Sequence, residues 1–186
     1  MDATNRHERL VFLDRDGVIN TSPGEGWVMD WADFAFAPGA LDALRRLHEH
    51  GFTACVVTNQ SCVARGLVGR DVIDDIHSRM SQAVADAGGR LAGVYACPHY
   101  DTDNCSCRKP KPGLIDQAVA RHGGDPSRGF LVGDGARDIA AGHTRGCTTL
   151  FVKGENPLPE EPPADYVVGS LAEAVDIILR LVGEGE

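Results

Sequence analysis

Two aspartates, Asp14 and Asp16, stand one residue apart directly after the apolar run Leu10-Val-Phe-Leu13 and just before Gly17. A short apolar run of this kind reads as a strand buried on both faces. Open α/β sheets place their chemistry just beyond the carboxyl ends of such strands. Two carboxylates held there repel unless a cation or a shared proton intervenes. An aspartate can attack phosphorus and form an aspartyl-phosphate, splitting one hard hydrolysis into two easier transfers. A second carboxyl nearby can protonate the leaving oxygen and then deprotonate the attacking water. The competing reading is ordinary turn chemistry, since Asp-x-Asp-Gly also suits a turn after a strand. The rest of the chain decides between them.

Three further polar clusters follow apolar runs. Thr58 and Asn59 end the run that starts at Phe52, Lys109 follows the one at Leu91 to Ala96, and Asp134 and Asp138 follow Gly129 to Val132. If the strands are parallel, all four clusters converge on one edge of the sheet. Phosphoryl transfer needs a nucleophile, neutralisation of the equatorial oxygens and a positioned acid/base. Asp14 suits the first role and Asp16 the last. The Thr58 hydroxyl and the Lys109 ammonium suit the phosphoryl oxygens. Asp134, Asp14 and the carbonyl of Asp16 offer the oxygen ligands that Mg²⁺ prefers, with Asp138 supporting the metal shell or Lys109.

The elements that must position these groups alternate. Helix patterns run from Pro38 to Leu47, through Val72, Ile73, Ile76, Met80 and Val84, from near Pro112 to Gly123, and in a short stretch after Asp134 that reaches Gly142. Thr148 to Val152 is a fifth strand and Tyr166 to Val168 a short edge element. Ser170-Leu-Ala-Glu173 reads as a capping box on a last amphipathic helix, ahead of a frayed tail. Strand and helix alternating in this way predict an α/β fold, a mainly parallel sheet with helices on both faces. At 186 residues, a single domain spanning 1–186 is expected.

Bulk properties narrow the partners. A net charge of −9 argues against nucleic acid as the main partner, and a local metal or lysine still accommodates a small phosphorylated substrate. No apolar run approaches the roughly 20 residues that span a bilayer. The N-terminus lacks the charged-then-apolar pattern of a secretory leader. A cytoplasmic monomer acting without membrane contact is the expectation. Of the six cysteines, Cys97, Cys105 and Cys107 crowd one segment, whereas Cys55 and Cys147 lie in apolar runs and read as packing. In a reducing compartment clustered cysteines point to metal. The histidines outside that segment, His77 among them, read as surface or helix-end residues.

Asp14-Arg-Asp-Gly-Val-Ile-Asn20, Thr58-Asn-Gln-Ser-Cys-Val-Ala-Arg-Gly66, Cys105-Ser-Cys-Arg-Lys-Pro110 and Gly133-Asp-Gly-Ala-Arg-Asp138 together resemble the haloacid dehalogenase superfamily of phosphatases. Within it they resemble the branch of heptose-bisphosphate 7-phosphatases and histidinol phosphatases, across about residues 10 to 152. The resemblance implies a three-layer Rossmann-like sheet and Mg²⁺-dependent hydrolysis through a phospho-Asp14, with Asp16 as acid/base. It implies Thr58 and Lys109 on the phosphoryl group and Arg108 on the substrate, with Asn59, Gln60 and Ser61 beside it. Arg65 either lines that pocket or lies on a helix surface. No large insertion separates Asp16 from Thr58, and members of this branch likewise lack a cap domain.

Cys97, His99, Cys105 and Cys107 fall within eleven residues. Three thiolates and an imidazole complete the tetrahedral set of a structural Zn²⁺, leaving no open position for catalysis. Such an ion would order the loop 97–107 and fix Arg108 and Lys109, which follow it. The Thr58 to Gly66 motif resembles the heptose-bisphosphate enzymes more than the histidinol enzymes. Two positions depart from the pattern. Cys62 stands where glycine is frequent, and Gly135 where a lysine often contacts substrate. A zinc-stabilised phosphosugar-binding protein without turnover and a nucleic-acid end phosphatase are the remaining readings.

Overall fold

A computed structural model describes residues 9–24 and 26–183. The N-terminal stretch through residue 8 (His7 included), Glu25, and the tail from 184 lie outside the described residues. Six strands form one parallel sheet: β1 (Leu10–Leu13), β2 (Thr53–Asn59), β3 (Gly93–Cys97), β4 (Phe130–Gly133), β5 (Thr148–Val152) and β6 (Tyr166–Val168). Their order is β3-β2-β1-β4-β5-β6. The chain therefore winds outward from β1 to β3, then returns to the other side of β1. The crevice between β1 and β4, where the order reverses, is where open α/β sheets bind ligands.

The alternation of side chains along β1 explains the layers. Val11 and Leu13 face one core with α1 (Ala40–Glu49), α2 (Arg70–Asp86) and α5 (Leu171–Gly183). Leu10 and Phe12 face the other, with α3 (Gly113–His122) and α4 (Ala136–Thr144). Both faces of the sheet are covered, as an apolar run without polar alternation requires. At α5, Ser170 Oγ accepts from the Glu173 N–H at 3.2 Å, and Glu173 Oε2 accepts from the Gly169 N–H at 2.7 Å. The capping box is thus present, closed one residue earlier than its usual form.

Boundaries shift in an informative way. β2 runs two residues beyond Val57, because Thr58 and Asn59 pair with Ala96 and Cys97 of β3. The expected polar strand end is therefore part of the ladder, and Thr58 is buried. β3 starts at Gly93 rather than Leu91 and reaches Cys97, so the first thiolate of the cysteine loop is anchored in the sheet. No segment among the described residues folds as a cap over the β-strand ends. Among the described residues between β1 and α1, the one helical turn is the short 3₁₀ turn Trp31–Asp33.

One expectation is overturned. His77 is not a surface residue: it is buried in α2 against Arg15. Residues 73, 77, 80 and 84 lie along one face of a 3.6-residue helix, so the apolar stripe carries His77 inward with it.

Candidate active site

Asp14 is the first residue past β1, and its N–H still bonds to the Val132 carbonyl of β4 at 2.9 Å. The nucleophile candidate is therefore pinned at the switch point by the sheet itself. Lys109, expected at a surface if it had no role, is buried and spends three N–H bonds at once. Its Nζ donates to Asp14 Oδ1 at 2.9 Å, Asp138 Oδ1 at 2.5 Å and the Val57 carbonyl at 2.7 Å. Asn59 fixes the Lys109 backbone from both sides. Its Oδ1 accepts from the Lys109 N–H, and its Nδ2 donates to the Lys109 carbonyl, each at 3.1 Å. Burial alone pushes the Lys109 ammonium toward neutrality, but Asp138 and Asp14 outweigh it and raise its pKa above the ordinary lysine value.

Two close approaches make the carboxylate cluster. Gly17 has a φ of +78°, and a Cβ there would stand 2.1 Å from Asp134 Oδ2. A Cβ on Gly133 would meet Asp138 Cβ at 2.2 Å. Only glycine at these positions lets the ends of β1 and β4 bring their acids together. Asp14, Asp134 and Asp138 each offer an oxygen within 4.8 Å of the others. Burial first, then the neighbouring Asp138, raises Asp14 to about 7, with Lys109 pulling the other way. The same two causes raise Asp134 to about 6. A site that disfavours its own ionisation in this way fits a hard divalent cation, which offers the missing positive charge. Asp138 joins Asp14 and Asp134 in this cluster of carboxylates, beside the expected set of Asp14, Asp134 and the carbonyl of Asp16. The Asp138 Oδ2 also accepts from the Gly135 N–H at 3.0 Å, so Asp138 ties Lys109 to the start of α4.

The Asp16 carboxylate borders the same cleft and is held by its own set of donors. Its Oδ1 accepts from Asn20 Nδ2 at 2.9 Å and from Arg15 Nε at 3.2 Å. Its Oδ2 accepts from Gln60 Nε2 at 2.9 Å and Arg15 Nη2 at 3.0 Å. Gln60 also donates to Thr58 Oγ1 at 3.0 Å, leaving the threonine proton for another acceptor. Gln60 and Ser61 were expected beside the substrate. Both are buried, and the Gln60 amide donates to Asp16, which borders the cleft. Cys62 is likewise fully buried in the core.

These groups border a cleft of about 430 Å³ whose walls include Asp14, Asp16, Thr58, Asn59, Lys109, Asp134 and Asp138. Trp27, from the segment between β1 and α1, also lines it. Asn156 and Arg137, neither singled out in the sequence, also line it. Asn156 Nδ2 donates to Asp134 Oδ2 at 3.1 Å from the loop after β5. Its position one strand further on follows the pattern of polar residues at strand ends, which was the available signal. Arg65 lies in a turn rather than on a helix, with its guanidinium 5.2 Å from the Trp27 ring centroid and 5.1 Å from that of Tyr100.

The loop after β3 gathers its four soft donors. The sulfurs of Cys97, Cys105 and Cys107 stand 3.2–3.7 Å apart, and His99 Nδ1 lies 3.3 Å from Cys107 Sγ. A tetrahedral zinc with bonds of about 2.3 Å sets its sulfur ligands about 3.7 Å apart, so the four residues can hold that ion. Arg108 then pairs with Asp101 and donates to the His99 carbonyl at 3.2 Å. With Lys111 and Arg137 it borders a smaller bay of about 180 Å³ that shares Lys109 with the cleft.

Known proteins are similar to this chain. Over 183 residues, 94% of this chain and 98% of the relative, the sequence is 36% identical to the D-glycero-beta-D-manno-heptose-1,7-bisphosphate 7-phosphatase of Pasteurella multocida. The enzyme of the same name from Neisseria meningitidis is 40% identical over 72% of this chain and 71% of its own. The chain belongs to the haloacid dehalogenase-like phosphatases. The family model described as HAD-hydrolase-like matches residues 106–174. A crystal structure of D,D-heptose 1,7-bisphosphate phosphatase from B. bronchiseptica, complexed with magnesium and phosphate, superposes with a TM-score of 0.83. That pair is 32% identical and covers 93% of this chain and 99% of the other. The family fold is therefore the one seen here, a parallel sheet without a cap.

Proposed function

We propose that this chain hydrolyses the 7-phosphate of D-glycero-β-D-manno-heptose 1,7-bisphosphate through an aspartyl-phosphate on Asp14. The observation that carries the reading is Asp14 held against Lys109 at the strand-order switch, beside Asp134 and Asp138, in a chain so similar to enzymes of that name. In the first transfer an Asp14 carboxylate oxygen bonds to phosphorus as the bond from phosphorus to the sugar oxygen breaks. Asp16 gives its proton to that oxygen, and the heptose 1-phosphate departs as an alcohol. In the second, water attacks the phosphoryl group, loses a proton to Asp16 and releases inorganic phosphate, restoring Asp14.

Lys109 and Thr58 face the equatorial oxygens, where charge is spread in the transition state. Mg²⁺ held by Asp14 and Asp134 would supply the positive charge that favours ionised Asp14. Zn²⁺ on Cys97, His99, Cys105 and Cys107 would serve structure alone, because a four-ligand site has no open position. The bay beside the cleft gathers Arg108, Lys111 and Arg137. Their charge suits a second phosphate on the substrate and disfavours the ammonium of histidinol phosphate. Six free cysteines suit the cytoplasm, and among the described residues no helix is long and apolar enough to cross a membrane.

The test is kcat/KM on both heptose 1,7-bisphosphate anomers and on histidinol phosphate. The β-anomer is expected to lead. Preference for histidinol phosphate would overturn the substrate, and phosphate release unchanged in Asp14→Asn would overturn the mechanism.

A further inference from the structure

Arg15 is the largest fully buried side chain among the described residues, and it lies between the two aspartates of the site. Successive residues at a strand end point to opposite sides. With Asp14 and Asp16 at the cleft, Arg15 is driven into the interior under α2. A guanidinium there must satisfy its N–H groups with acceptors, because it has no lone pair of its own. One edge, Nε and Nη2, lies against the Asp16 carboxylate. The other, Nη1, meets His77 Nε2 at 3.1 Å.

Since arginine only donates, His77 Nε2 accepts, and its ring proton sits on Nδ1. Burial, and then the positive charge of Arg15, lowers the pKa of His77 to about 4. The imidazole therefore remains an acceptor across the physiological range. Two contacts at opposite ends fix the guanidinium plane, and that plane fixes the Asp16 carboxylate, which Asn20 and Gln60 hold from other directions.

We propose that His77 is a positioning residue for the acid/base step: through Arg15 it sets the orientation of the Asp16 carboxyl toward the leaving oxygen. The inference rests on the Asp16 role given above and adds a residue on the inward face of α2 that touches neither substrate nor metal. Removing the acceptor frees Nη1 and lets the guanidinium rotate, carrying Asp16 with it. The step affected is proton delivery to the leaving alcohol, whereas attack by Asp14 keeps its geometry.

The experiment compares kcat/KM, which reports transfer to Asp14, for the heptose bisphosphate and for p-nitrophenyl phosphate. The aryl leaving group departs as a stable phenolate and needs little protonation. His77→Leu is expected to lower the sugar value by about 10-fold, a fraction of what general acid catalysis supplies, and the aryl value by less than about 2-fold. His77→Gln restores an oxygen acceptor for Arg15 and is expected to recover most of the loss. If His77→Leu does not fold, His77→Asn, polar but too short to reach Arg15, carries the same comparison. Equal losses on both substrates, no loss on either, or failure of glutamine to rescue would overturn the proposal. Asp16→Asn is the control. Sugar phosphate hydrolysis unaffected by it would sink the acid/base assignment itself, and the role of His77 with it. A large loss in Asp16→Asn beside equal losses in the His77 variants would sink only the role of His77.

Discussion

The carboxylate cleft and the cysteine loop meet at Arg108 and Lys109, yet they differ in what holds each of them in place. In the cleft, Asp14, Asp134 and Asp138 crowd around Lys109, and hydrogen bonds already fix the positions. A cation there completes charge balance in a framework that exists without it. In the loop, three sulfurs and an imidazole face one another at 3.2–3.7 Å. Sulfur is a weak hydrogen-bond partner, so the ion itself is the organising contact. The same chain has thus placed hard oxygens on rigid strand ends, where chemistry needs precision, and soft ligands on a loop that cannot build a core of its own. Removing each ion should have opposite consequences.

The largest expected effect lies in the cleft. Asp14→Asn should lower kcat by at least about 10⁴-fold, because it removes the atom that bonds to phosphorus. Zinc content and the far-ultraviolet circular dichroism should be unchanged. Chelating Mg²⁺ should abolish turnover reversibly, again without loss of loop order. The loop should respond in binding. Cys107→Ser, or loss of zinc, is expected to raise KM by about 10–100-fold, the range seen when supports of a metal site are removed. Hydrogen exchange should show residues 98–111 opening while the sheet stays protected. A zinc-free protein with full kcat/KM would erase the contrast between the two regions.

A smaller effect separates support from contact inside the cleft. Gln60→Leu takes one donor from the Asp16 carboxylate and should lower kcat by about 10-fold with KM nearly unchanged. A rise in KM at constant kcat would instead put Gln60 on the substrate, as the motif first suggests. The smallest is a slope in stability. Arg15 and Asp16 face His77, and its folded pKa of about 4 lies below the ordinary 6.5. Between those values the unfolded chain takes up a proton that the folded protein refuses, so stability rises with pH through this window and is lost as pH falls. Chemical denaturation at pH 4.5 and 7 should show this contribution in the parent and not in His77→Gln.

Much of this was legible in the residues. The apolar runs gave the strand order its ingredients, and the polar residues just after them gave the cleft, because parallel strands end on one side. The glycines after Asp16 and before Asp134 carried a signal too, since only the missing Cβ lets Gly17 and Gly133 pass so close to Asp134 and Asp138. What was not legible is which way a polar side chain turns. Gln60 shares a motif with Thr58 and Asn59, but it lies past the last paired residue of β2 and folds back under Asp16. Asn156 comes from a proline-rich connection with no motif, and only the register of β5 beside β4 brings it to Asp134. His77 was recoverable, as the spacing of Ile73, Met80 and Val84 places it on the buried stripe. A histidine there demands a polar partner, and Arg15 is hidden between two acids that draw attention first.

The central claim is that the phosphoryl group rests on Asp14 during turnover. Substrate carrying ³²P at the 7-position, mixed with enzyme and Mg²⁺ and quenched in acid within milliseconds, tests it most directly. Label should appear on the peptide containing Asp14 before free phosphate accumulates, and decay at the rate of turnover. Steady release of phosphate with no label on that residue at any quench time would contradict the account.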